Sequence, residues 1–399
     1  MPRDNEEGLA LDAKQYCTNV SEALSVCAHC GYCRDACPAY SAGGWESYSP
    51  RGKFAILDSL GKGDEIPPTM ASRAFQCTLC GACREACITG LDPRTMWLGL
   101  RKELAGQGKA PEVMQSLREM IMTKGNMAGE DEANRLLWTE NVENVPEDVA
   151  GKKDAEVLYF IGCMASLYPA AYAVAQASAT MFLKAGVNFA TMGADEICCG
   201  FPLVAGGVAD KLPEVAAGNV RKIEDLRPGR IVSTCPGCVH MWQHEYPALL
   251  GKPLPVPVQH SSQFLLELAR AGRLKFKSFD RAVTYHDPCD LGRNNGIYEE
   301  PRELLRCVPG LELVEMEKNR EQALCCGGGG NLEMADKGLS ERIGSLKMAM
   351  IKRTGAPVVV TGCQQCRRTL QAAARREKAR VRIMEITEFL LSVLDEGQE

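Results

Sequence analysis

Twenty of the 399 residues are cysteines, and eighteen of the twenty fall into four spaced groups. Two groups are runs at C-x2-C-x2-C-x3-C spacing: Cys27, Cys30, Cys33 and Cys37, then Cys77, Cys80, Cys83 and Cys87. The other two are sets of five: Cys163, Cys198, Cys199, Cys235 and Cys238, then Cys289, Cys325, Cys326, Cys363 and Cys366. No basic region followed by an apolar stretch opens the sequence, so a cytoplasmic chain is expected. In that compartment thiols stay reduced, and a disulfide framework is excluded. Cys17 and Cys307 stand outside the groups and read as ordinary small hydrophobes.

The runs of four have the spacing of bacterial ferredoxin loops. A cube of iron and sulfide needs four thiolates around it. Three come from one tight loop, and the fourth cysteine of each run reaches the other cluster. Cys27, Cys30, Cys33 and Cys87 are therefore expected to hold one 4Fe–4S cube, and Cys77, Cys80, Cys83 and Cys37 the other. Gly31 and Gly81 let the backbone turn closely round each core. Zinc would want C-x-x-C pairs closing one tetrahedron, which runs of four fit poorly. Ile88 follows Cys87 where the pattern has proline; this removes a rigid turn but no ligand.

The sets of five repeat at nearly constant offsets. Cys163 maps to Cys289 at 126 residues, Cys198 to Cys325 at 127, and Cys235 to Cys363 at 128. Such offsets indicate an internal duplication. Each repeat alternates short β-branched runs with helical stretches, and its cysteines follow the apolar runs. Strands are expected at 156–161, 230–233, 282–285, 312–315 and 357–360, with one more leading into Cys198. Helices are expected near 169–185, 213–225, 301–307 and 339–353, which describes parallel α/β units. Five soft ligands are too many for one tetrahedral zinc and suit an iron–sulfur cluster larger or more irregular than a cube. Spacing alone goes no further. Helices are also expected at 10–25, 52–60 and 93–137, and an acidic, turn-rich stretch at 139–154 marks a boundary.

A net charge of −5 and a pI of about 5.8 argue against a nucleic-acid binder. No segment reaches the ~18 uninterrupted apolar residues of a membrane span. His29 lies inside the first run, where it could tune a cluster through a hydrogen bond, and His240 and His286 lie beside cysteine motifs, where either could orient a substrate or deliver a proton; a merely exposed His29 and merely packed His240 and His286 are the alternative readings. His244 and His260 carry no motif. The glycine run 327–330 lacks the Lys-Ser/Thr of a phosphate loop and reads as close approach to a cluster. The arginines at 367, 368, 375, 376, 380 and 382, with Lys378, read as a solvated helix face or as a dock for an acidic partner or an anionic substrate.

The CCG-plus-C-x-x-C pattern, present twice behind a two-cluster ferredoxin module, resembles the D-type iron–sulfur subunit of heterodisulfide reductase. It is also similar to iron–sulfur subunits of glycolate oxidase, anaerobic glycerol-3-phosphate dehydrogenase and benzoyl-CoA reductase complexes. The resemblance implies a helical, ferredoxin-like α+β module (1–105), a helical linker (106–150) and two duplicated α/β cysteine-rich domains (151–275 and 276–399). It implies a noncubane 4Fe–4S cluster on each complete five-cysteine set, with Gly200 and Gly327 beside it. It implies chemistry at Cys198, Cys199, Cys325 and Cys326, where a disulfide is split between the two clusters. Two functions follow: an electron carrier in a complex, or a catalytic disulfide reductase. No flavin or nicotinamide fingerprint is visible. Electrons are therefore expected from a partner, namely a flavoprotein, an electron-transferring flavoprotein or a membrane cytochrome b. Any membrane attachment would run through that partner.

Overall fold

The structure, a computed structural model, describes residues 22–395; Cys17 and most of the helix expected at 10–25 lie outside them. The two ferredoxin-type runs fold as copies of one loop. His29 and Leu79 take matching left-handed conformations (φ 50° and 52°), and Gly31 and Gly81 then open the one-turn helices Tyr32–Asp35 and Ala82–Glu85. The helices Pro50–Gly61, Pro68–Phe75, Pro93–Gly106 and Glu112–Lys124 enclose them. Their starts are local chemistry: the Ser49 hydroxyl accepts from Gly52 N, the Asp92 carboxylate from Arg94 N and Thr95 N, and a proline follows each cap. Phe54, Phe75, Trp97, Leu100, Leu104 and Leu117 form the module's apolar core. Beyond Lys124 the expected helix gives way to a 3-10 segment, Glu132–Asn141.

Two four-stranded parallel sheets follow. The first comprises β1 (Val157–Tyr159), β2 (Phe189–Ala190), β3 (Arg230–Ser233) and β4 (Val258–His260), ordered β2-β1-β3-β4. The second comprises β5 (Ala282–His286), β6 (Glu312–Leu313), β7 (Val358–Thr361) and β8 (Arg382–Glu385), ordered β6-β5-β7-β8. Tyr159 pairs with Val232 as Tyr285 pairs with Val360, so the register reproduces the 126- and 128-residue offsets. The strand expected to lead into Cys198 is only Phe189–Ala190, and a 3-10 turn at Gly193–Asp195 intervenes. Strands β4 and β8 were not expected, being three and four residues with mixed polarity. Each ends on a helix cap: His260 accepts from Ser262 N and Glu385 from Thr387 N, each completed by a reciprocal side chain, Gln263 or Glu388.

The sheets share one core, with Tyr159, Phe182 and Phe264 of the first repeat against Tyr285, Leu304 and Phe389 of the second. The helix Tyr172–Lys184 packs on Ile386–Ser392, and Ser261–Arg270 on Glu299–Arg306. Each repeat's first long helix thus meets the other's last, an internal two-fold arrangement. Parallel strands gather the loops after their carboxyl ends, where the cysteines lie.

Candidate metal centres

The first ferredoxin-type run sends its last cysteine to the second. Cys37, Cys77, Cys80 and Cys83 line one cavity with Pro38, Lys53 and Trp97. Cys33 instead faces Cys27, Cys30 and Cys87. Cys37, Cys80 and Cys83 are buried, whereas Cys30 is exposed and Cys27, Cys33 and Cys87 are half-buried. Burial pushes the Cys37 thiol up to about 12, against the pull of Lys53. Burial, then the neighbouring Cys27, Cys30 and Cys87, pushes Cys33 up to about 11. Thiols crowded like this cannot ionise together unaided, and a cationic core that takes thiolates removes the conflict. The donor sets fit such a core.

Each set of five is gathered into a chain of touching thiols. In the first repeat contacts run Cys163–Cys198–Cys199–Cys238–Cys235. In the second they run Cys289–Cys325–Cys326–Cys366–Cys363. The CCG turn explains part of the geometry. Gly200 (φ 85°) and Gly327 (φ 97°) are left-handed, and their amides donate to Cys198 Sγ and Cys325 Sγ at 3.4 Å. A Cβ on Gly327 would meet Ser340 O at 2.5 Å. Of the ten cysteines, Cys235 and Cys363 are partly exposed and the other eight are buried.

The buried ferredoxin-type site abuts the second set. Cys80 contacts Cys325, and Arg293 Nε donates to Cys80 O at 2.6 Å. Gly329 and Gly330 make room for the Cys77–Thr78 backbone, 2.7 Å from where a Gly330 Cβ would stand. The run expected to approach a cluster therefore admits the ferredoxin loop, while Gly328 N donates to Cys326 Sγ at 3.4 Å. Arg101, fully buried, donates to Ala74 O (2.8 Å), Cys77 O (2.6 Å), Ala205 O (2.6 Å) and Gly330 O (2.8 Å), joining the module to both repeats. The two sets of five face one another through Asn295 Nδ2, which donates to Pro236 O at 3.1 Å, and Gln364 Nε2, which donates to Thr234 Oγ1 at 2.6 Å.

In the first repeat Glu196 accepts from Ile161 N and Gly162 N (3.1 and 2.8 Å), and Arg135 bridges it (2.8 Å) to Cys163 Sγ (3.7 Å). Burial raises the Glu196 carboxyl above its usual range. Arg101, Arg135, Arg293, Lys53 and Lys347 are buried cations that the spacing of the cysteines did not reveal. Arg101 and Lys347 each left a trace, a charge on the apolar stripes Trp97, Arg101, Leu104 and Ile343, Lys347, Ile351. Of the histidines, His29 stays in its exposed loop, His240 Nε2 lies 3.3 Å from Glu245, and His260 is buried between the repeats against Thr234 O. Cys307 is exposed and apart from the groups. The basic stretch is a helix face only through Arg376. Arg367 pairs with Glu388 at 2.6 Å, and Arg382 starts β8.

A family model for a cysteine-rich domain matches residues 157–243 and 283–371, and one for a 4Fe-4S dicluster domain matches 23–91. The D-type subunit of the dihydromethanophenazine:CoB--CoM heterodisulfide reductase of Methanosarcina barkeri (strain Fusaro / DSM 804) is 30% identical, over 96% of this chain and 97% of its own. The chain belongs to the family of heterodisulfide reductase D-type subunits. Family membership covers the dicluster module and both cysteine-rich domains. Other relatives of this family member are the B-type subunit of the fumarate reductase (CoM/CoB) of Methanothermobacter marburgensis (28%; 93% of this chain, 72% of that one) and the EtfAB:quinone oxidoreductase of Syntrophomonas wolfei subsp. wolfei (25%; 93% and 58%). Among the described residues no helix is long and apolar enough to cross a membrane.

Proposed function

We propose that the chain is an iron–sulfur subunit that passes electrons within a larger redox complex, from the surface to a pair of buried cysteine-rich sites. The contact of Cys80 with Cys325 carries this reading. It sets the four sites in a sequence: the outer one with exposed Cys30, the buried one at Cys37, Cys77, Cys80 and Cys83, the second set of five, then the first set across Asn295 and Gln364. In this reading Cys27, Cys30, Cys33 and Cys87 hold one cubane cluster, and Cys37, Cys77, Cys80 and Cys83 the other. Each set of five holds a noncubane 4Fe–4S cluster. Such clusters supply one-electron redox centres when bound.

The chain's own residues serve the transfer by exclusion and exposure. Lys53, Arg101 and Arg293 place buried positive charge beside thiolate sites, where it offsets their negative charge. Val26, Tyr32 and Ile88, each next to an outer-site cysteine, are 44%, 58% and 62% exposed. That apolar rim suits a docking flavoprotein, electron-transferring flavoprotein or membrane cytochrome. A second reading, reduction of a disulfide by two electrons and two protons to two thiols, is favoured by the partial exposure of Cys235 and Cys363, which lets a small substrate reach otherwise buried sets.

The test is anaerobic reconstitution followed by reduction. About sixteen irons per chain are expected if all four sites fill. Fast reoxidation by a flavoprotein without thiol release supports the carrier. Stoichiometric thiol release from small disulfides, lost in Cys198→Ser or Cys325→Ser, supports the reductase. An iron-free, correctly folded chain overturns both.

A further inference from the structure

The two sets of five are not equivalent, and one difference is the residue at the carboxyl ends of the central strands β1 and β5. Because Tyr159 and Tyr285 share a register position, Phe160 and His286 do so as well. Phe160 is a core residue, packed edge-on to Trp242 with ring centres 5.4 Å apart. His286 is 1% exposed, and neither ring nitrogen has a hydrogen-bond partner. A ring nitrogen of His286 and the sulfurs of Cys326 and Cys366 all lie within 4.8 Å of one another. A buried imidazole without a partner is costly, and a metal at that spot would satisfy it. Imidazole is a good ligand for iron.

We propose that His286 is a nitrogen ligand of the metal centre held by the second set of five, a ligand that the first set lacks. This rests on the reading that the five-cysteine sets hold iron–sulfur clusters. A neutral imidazole brings no negative charge where a further thiolate would, so it raises a site's reduction potential. The buried cations Lys347 and Arg293 push the same way, while the nearby Asp287 pushes against them and is itself paired with Arg302 at 2.6 Å. The set touching Cys80 is then the more readily reduced of the two. Unequal potentials would give electrons arriving from the ferredoxin module a preferred first stop.

Pulsed paramagnetic resonance on the reduced, iron-loaded full chain, with natural and 15N-labelled histidine, tests this. A strong coupling of the kind a directly bound nitrogen gives is expected. It should vanish in His286→Phe and His286→Gln and persist in His29→Gln and His240→Gln. His286→Cys should keep its iron and titrate at a lower midpoint potential. Should neither substitution of His286 load iron, persistence of the coupling through single replacement of each of the other four histidines assigns it by elimination. Full iron content with only weak, hydrogen-bond-type coupling, or a strong coupling surviving in His286→Gln, overturns the His286 assignment alone. Absence of iron from the cysteine-rich sites overturns the underlying reading with it.

Discussion

Arg101 shows how much can hang on one side chain. Its guanidinium is fully buried, with no carboxylate among its partners, and answers carbonyls from three parts of the chain. Burial lowers its pKa to about 10, but it remains charged at neutral pH. Arg101→Met keeps the stem and orphans those carbonyls, so stability should fall by about 3 kcal/mol or more. Arg101→Lys should recover only part, because an ammonium cannot span the fork. Chemical unfolding of the iron-loaded chain measures both, and a loss under about 1 kcal/mol would dismiss the tie. Glu385 gives a pH signature. Burial raises its carboxyl to about 8, above the usual value of 4.5. The folded state therefore favours the neutral acid, and stability falls as pH rises from about 4.5 toward 8. Glu385→Gln should flatten the unfolding midpoint across that window. At this scale the sequence was very unevenly legible. Cysteines are rare enough for their spacing to speak, whereas Arg101 shows only as a charge on an apolar stripe until residues 74–77, 205 and 330 converge on it.

Among the elements, the ferredoxin loops and the strands β1, β3, β5 and β7 were readable, because cysteine spacing or a β-branched run marks each. Strands β4 and β8 were not, since Val-Gln-His and Arg-Ile-Met-Glu have no clear alternation and gain their place by pairing with β3 and β7. The His286 difference was hidden too. The offset of Cys289 exposes it only when Phe160 is set beside it. The apolar rim on the outer loop makes its own prediction. Tyr32→Asp or Ile88→Asp should leave iron content unchanged and slow reoxidation by the flavoprotein about tenfold, the effect of losing roughly 1.4 kcal/mol of docking energy. Stopped-flow recovery of the cluster absorbance would show it; equal rates would move the docking face elsewhere.

Across the whole molecule, dependence on metal should be uneven. The N-terminal module is built round two four-cysteine sites, whereas the repeats own the large apolar core of Tyr159, Phe182, Tyr285 and Phe389. Stripping iron should release amide protection over residues 27–91 first and leave β1, β3, β5 and β7 protected. Hydrogen exchange with and without chelator reads this, and uniform loss would contradict it. The cross-packing of Tyr172–Lys184 on Ile386–Ser392 and of Ser261–Arg270 on Glu299–Arg306 has a further consequence. A gene cut between the repeats would yield two halves, each lacking the two helices of the other that cover its own flank. Neither should be soluble alone, yet made together in one cell they should find each other and restore the whole.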